Sequence, residues 1–298
     1  MLTAGSIAGG GFRLVRERPG AVAVWTLVYL AGVVALGLAV MPSAEVRAAA
    51  AAGRPPLAIN TAPNLWIWLF ELVFFLAFMV LFTAALRAAL RPGESGFASL
   101  RLGMDELRMT GLALFLTIVL YLGLILIGLA LAIPLNLLTL ATGGTDVTIL
   151  LVGEIVLLTP LAAWILVRLS LAYPLTLMRG RIVIGESWQL SRGRFWTLFG
   201  GYLIVVLVVT ALSIAAAALT AGPQLLELLR GRLTLETLQA VAGWQLARQM
   251  EGVDAMMVAG WVLSALVGGL SVALYAGAMA AAARELAVDR EGMARTFA

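Results

Sequence analysis

The sequence predicts an all-α, polytopic membrane protein, with six transmembrane helices and cytoplasmic amphipathic helices leading into them. Three observations predict it. The chain is 62% hydrophobic and 12% charged, with a mean hydropathy of +1.03. A soluble domain is about half apolar and about a quarter charged, so the solvent for this surface is lipid. Six apolar stretches reach the roughly 20 residues needed to cross a bilayer, at about 21–41, 65–86, 109–140, 147–178, 197–221 and 255–283. Finally, the arginines gather in alternate connections.

Taken in order, Arg13, Arg16 and Arg18 precede the first span. The stretch MPSAE after it looks like a cleavage site, but the apolar run exceeds the 7–15 residues of a signal peptide, so an uncleaved anchor is expected. The second span leads into a connection with Arg87, Arg91, Arg101 and Arg108. The third and fourth spans exceed one crossing, and Pro134, Pro160 and Pro174 predict kinks or tilts in them. The next connection holds Arg179, Arg181, Arg192 and Arg194, and the C-terminal tail holds Arg284, Arg290 and Arg295. The alternate connections carry Arg47 and Arg54, then none, then Arg230, Arg232 and Arg248. By the positive-inside rule the richer set is cytoplasmic. Both termini then lie inside, in agreement with an even number of spans. The outer segment 222–254 has leucines at helical spacing and predicts two short surface helices. At about 30 residues it is too small for an independent enzyme core. The whole chain, 1–298, reads as one membrane domain.

The approaches to the odd-numbered spans are alike: GSIAGGGFRLVRER (5–18), GESGFASLRLGMDELR (93–108) and GESWQLSRGRFW (185–196). Their closing arginines, Arg18, Arg108 and Arg194, are 90 and 86 residues apart. Three tandem helical hairpins, each led by a surface helix, are one reading; chance likeness of short biased strings is the other. If 183–195 is helical, Ile184, Trp188 and Phe195 form one stripe. Trp188 would then sit at headgroup depth, with Arg192 and Arg194 toward anionic lipid. An ordinary packed connection is the alternative.

Three ionisable residues lie within spans: Glu71, Glu154 and Arg168. A charge at the bilayer centre costs about 2.5–3.5 kcal/mol on insertion scales, so each needs a reason. Glu71 and Glu154 sit at similar depth from the outer end, facing one polar cavity or serving as structural hydrogen-bonding groups. Arg168 lies fourteen residues beyond Glu154 on nearly the same face, about 21 Å along the axis, too far to pair directly. Its partner must come from another helix, from carbonyls freed by Pro174, or from lipid phosphate. In the last span Ala265, Gly269, Ala273, Gly277 and Ala281 recur every four residues, a pattern that lets another helix approach closely.

Histidine and cysteine are absent, which removes the commonest general base and the thiolate metal sites. There is no P-loop, no HExxH and no dinucleotide fingerprint. No cofactor or metal is expected. All twenty basic residues are arginine, spread over span ends and not gathered on one basic face, so nucleic acid is not an expected partner.

The segment 168–200 resembles the membrane domain found beside some bacterial glycerophosphodiester phosphodiesterases, and related multi-pass proteins of unknown function. The resemblance rests on Arg168-Leu-Ser-Leu-Ala-Tyr-Pro174, on Gly185-Glu186-Ser187-Trp188-Gln-Leu190 and on Ser191-Arg192-Gly193-Arg194-Phe195-Trp196. The N-terminal FRLVRERPG is similar to that family's lead-in. The soluble diesterase of that family uses histidines and metal-binding carboxylates. The resemblance therefore implies the membrane domain alone, in a bacterial cytoplasmic membrane, without diesterase activity. Two functions are open: a non-enzymatic protein that binds membrane lipids or organises a membrane partner or its own copies, and a small permease using Glu71 and Glu154.

Overall fold

The computed structural model describes residues 2–42, 65–93, 97–142, 147–221, 248 and 250–296. Among them the secondary structure is helical: α1 (Ala4–Glu17), α2 (Pro19–Ala39), α3 (Leu65–Leu90), α4 (Met104–Thr142), α5 (Val147–Leu169), α6 (Ala172–Arg179), α7 (Ile184–Leu190), α8 (Phe195–Ala221) and α9 (Ala255–Thr296). Six candidate spans are long and apolar enough to cross a membrane, which makes this a multi-pass integral membrane protein. The outer segment expected to form surface helices, 222–254, falls outside the described residues but for its last part.

Local chemistry sets the boundaries. Thr3 caps α1 reciprocally with Ser6: Ser6 N donates to Thr3 Oγ1 at 3.0 Å, and Thr3 N donates to Ser6 Oγ at 3.2 Å. Pro19 opens α2, where its missing N–H is no loss, and Arg18 forms the corner between the two helices. Asp254 opens α9 by accepting from Met257 N at 2.6 Å, while Arg248 donates to both its carboxylate oxygens. Those bonds, Arg248's first, hold the Asp254 carboxyl below the usual range.

Helix α9 is the hub: α1, α2, α3 and α8 all pack on it, and α4 lies against α3 and α5 on the periphery. The packed core gathers at the arginine-rich end, around Ile7, Leu14, Trp25, Leu86, Met109, Leu171, Leu198 and Ala282. Toward the opposite end Leu38, Leu126, Ile133, Ile155 and Leu219 are exposed. Exposed side chains of this kind belong in hydrocarbon.

The fourth span is not the continuous 147–178 that its hydropathy suggests. It breaks at Ser170–Leu171, and α6 begins at Ala172. Pro174 is the cause: in an unbroken helix its ring would strike the carbonyl of Ser170, four residues back. In the first turn of α6 the ring is tolerated. By contrast, α4 and α5 continue through Pro134 and Pro160.

The lead-ins also differ from expectation. Helix α7 ends at Leu190, because Gly193 takes a left-handed conformation (φ +78°), and Phe195 opens α8. Ile184, Trp188 and Phe195 therefore share no helix stripe. The second lead-in contains a 3₁₀ turn, Phe97–Ser99, not a surface helix. Its Ala98 and Ser99 are left-handed (φ 52° and 57°), held there as Trp25 Nε1 donates to Ala98 O at 3.0 Å and Arg87 to Ser99 O at 2.8 Å. Helix α1 buries Ile7, Gly10, Gly11 and Leu14 against α8 and α9 instead of lying free on the interface. The pairs α2–α3, α4–α5 and α8–α9 are neighbours, but their approaches are built three different ways.

Candidate functional site

Arg168 stands in the last turn of α5, and Trp164 lies four residues earlier on the same helix face. Helix α7 folds back so that Trp188 meets Trp164 edge to face, with ring centroids 5.2 Å apart and planes at 88°. The Arg168 guanidinium carbon lies 4.5 Å from the Trp164 ring centre and 4.8 Å from that of Trp188. Both distances fit cation–π attraction. Ser187, buried beside Trp188, donates to the Arg168 carbonyl at 2.7 Å. That carbonyl is one of those left without a helical partner where α5 ends. Ser170, in the break, hydrogen-bonds Tyr202 Oη at 3.0 Å and ties this corner to α8.

Arg168 thus receives two π faces from its own chain and, among the described residues, no carboxylate. Its Nε is buried and has no hydrogen-bond partner. An arginine held by two indole rings, with donors to spare, suits a phosphate or carboxylate oxygen. Of the other site residues read from the sequence, Trp188 joins this cluster. Arg192 is exposed in the turn after α7, and Arg194 is half-buried at the start of α8. The neighbouring Arg179 and Glu186 pair at 3.1 Å.

Whether the two glutamates face one cavity lies outside the described residues, because the side chain of Glu154 does. Glu71 is exposed on α3, beside exposed Leu72 and Val73, and it lines neither cavity described below. Glu154 lies on α5, and its side chain is outside the described residues. The small-residue stripe of α9 receives helices of its own chain. A Cβ on Gly269 would collide with Thr26 Oγ1 of α2, and one on Gly277 would lie 2.6 Å from Gly10 O of α1. Ala265, Ala273 and Ala281 are buried along the same stripe.

Sequence reading missed three features. A cavity of about 390 Å³ opens between α2, α8 and α9, with hydroxyls from Tyr29, Ser213, Thr220, Ser264 and Ser271 on its walls. Ser213 and Thr220, and likewise Ser264 and Ser271, are seven residues apart, two turns on one helix face. That spacing was the available signal. Beside it, sharing Tyr29 and Phe78, an apolar groove of about 310 Å³ runs between α2 and α3. Third, Arg87 is no loose connection charge. It is 3% exposed and bonds Glu106, 5% exposed, at 2.5 Å, which clamps the end of α3 to the start of α4.

Compared with protein-family models, with curated proteins and with solved structures, the chain finds no match.

Proposed function

We propose that this chain is a non-enzymatic protein of a bacterial cytoplasmic membrane that binds anionic phospholipid at its arginine-rich end, with both termini cytoplasmic. The observation that carries this reading is the Arg168 guanidinium held against the rings of Trp164 and Trp188, with no hydrogen-bond acceptor or carboxylate for it among the described residues. Lipid phosphate supplies the acceptor that the described residues lack. The setting supports it: Phe97, Trp188 and Trp196 are exposed on lead-ins at this end, where aromatic rings and arginines meet headgroups. The residues that resemble the diesterase-associated membrane domain are the ones that build this corner: Arg168, Pro174, Ser187 and Trp188. The reading gives no residue a catalytic role.

The test is a titration of the detergent-purified protein with phosphatidylglycerol, followed by native mass spectrometry. Arg168→Ala is expected to weaken binding about tenfold, the loss of one charge-assisted contact. Equal affinity in wild type and variant would refute the reading.

The hydroxyl-lined cavity favours a second reading, a permease for a small polar or amphipathic solute. The chain has no cysteine, so Ser264→Cys adds a single label site. Permeation requires that a membrane-impermeant maleimide reach Cys at that position from water; a site that stays unlabelled in intact cells rules this reading out.

A further inference from the structure

A second arginine cluster lies at the same end, between α1, the end of α3 and α9. There a pocket of about 80 Å³ is lined by Arg13, Arg18 and Arg284, with Glu17 as its acidic member. The helix crossing explains why these side chains meet. Helices α1 and α9 touch where Gly10 faces Ala281, so closely that a Cβ on Gly10 would collide with the Ala281 Cβ. Arg13 on α1 and Arg284 on α9 each lie one turn from that contact, and both line the pocket beside it. The close glycine crossing brings the two helices near enough for both guanidiniums to line one pocket, and the corner between α1 and α2 adds a third.

Part of this arrangement is capping. Arg18 Nη2 donates to Pro92 O at 2.6 Å, and Arg284 donates to Ala89 O. These carbonyls lie at the C-terminal end of α3, where cations are favoured. Capping uses one nitrogen of each and leaves the other donors. It gives no account of Arg13, which has no hydrogen bond or ion pair among the described residues. No carboxylate oxygen among those residues lies within salt-bridge distance of any of the three. Three guanidiniums against one carboxylate repel one another unless an anion sits between them.

We propose that this pocket binds a phosphoryl group, carried by an anionic phospholipid headgroup or by free inorganic phosphate. Planar guanidinium forks match phosphate oxygens two at a time, and the pocket has room for one such group. The lipid source rests on the reading above, that this end meets lipid headgroups; the phosphoryl chemistry does not.

The experiment compares wild type, Arg13→Gln, Arg168→Ala and the control Arg16→Gln, an exposed arginine of α1 outside the pocket lining. Each full-length protein is titrated with phosphatidylglycerol in native mass spectrometry and with radiolabelled inorganic phosphate at equilibrium. Arg13 is exposed and unpartnered, so R13Q is expected to keep the wild-type thermal midpoint. The proposal expects R13Q to bind at least one probe about tenfold more weakly, with R16Q unchanged. Loss of phosphatidylglycerol binding names a lipid as the source; loss of inorganic phosphate alone names the free ion. Equal loss in R13Q and R16Q means diffuse surface charge and overturns the pocket, as does no loss in R13Q. If R168A loses lipid and R13Q loses neither probe, this pocket fails while the Arg168 site stands. If R13Q alone loses its probe, the reverse holds.

Discussion

The residues that matter most here are arginines, and they are held in different ways. Arg87 is buried against Glu106 and the Ser99 carbonyl, so each of its contacts comes from protein. Removing one member of such a pair strands the other in low dielectric. Glu106→Leu is expected to cost about 3–5 kcal/mol, and Arg87→Met with Glu106→Leu to recover much of that. Denaturant unfolding of the purified protein measures both; a double variant no better than the single would contradict the account. The recovery is expected to be incomplete, because Glu106 Oε2 also accepts from Gly103 N at 3.0 Å. Arg168 differs, with two indole rings against it and no acceptor for its guanidinium among the described residues. Its place within the fourth apolar stretch was legible from the sequence, as was its need for a partner; that the helix ends one residue later, at Leu169, was not. That Trp164 and Trp188 provide two faces was not: their meeting depends on the turn of the chain at Ser170–Leu171 and through α6. Arg13 gave still less signal, because its neighbour Arg284 is 271 residues away.

At the scale of elements, hydropathy and length were enough to find the six spans, since a bilayer selects for both. They did not show where a helix breaks inside an apolar run. Pro174 ends α5, while Pro134 and Pro160 are absorbed within their helices, and all three look alike in a hydropathy profile. The repeat of small residues in α9 was equally readable, but its occupants are fixed only by the tertiary fold. The crossing of α1 over α9 gives a sharp test. Gly277→Leu places a side chain 2.6 Å from Gly10 O and 2.7 Å from Gly11 Cα, backbone atoms that cannot turn aside. It is expected to destabilise the protein by about 1–3 kcal/mol or more. Gly9→Ala, on the same α1 but with nothing within 4 Å of the new methyl, should stabilise it by about 0.5–1 kcal/mol. Thermal unfolding in detergent separates them. Similar midpoints for the two variants would mean that α1 does not pack on α9.

For the whole molecule, the charge pattern and the packing agree on one polarity. The arginine-bearing lead-ins, the buried core and both arginine sites lie at one end; the hydroxyl-lined cavity extends toward the other. If the arginine-rich end is cytoplasmic, Gly9→Cys in the otherwise cysteine-free chain takes up an impermeant maleimide only after the cells are permeabilised. Labelling of intact cells would invert the topology. The protein is expected to leave the membrane carrying lipid. The most direct measurement is native mass spectrometry of the protein purified from its membrane in mild detergent, with Arg168→Ala alongside. An anionic phospholipid retained by the wild type and depleted in the variant is the predicted result. No retained phospholipid, or equal retention by both proteins, would contradict the claim that Arg168 holds a lipid headgroup.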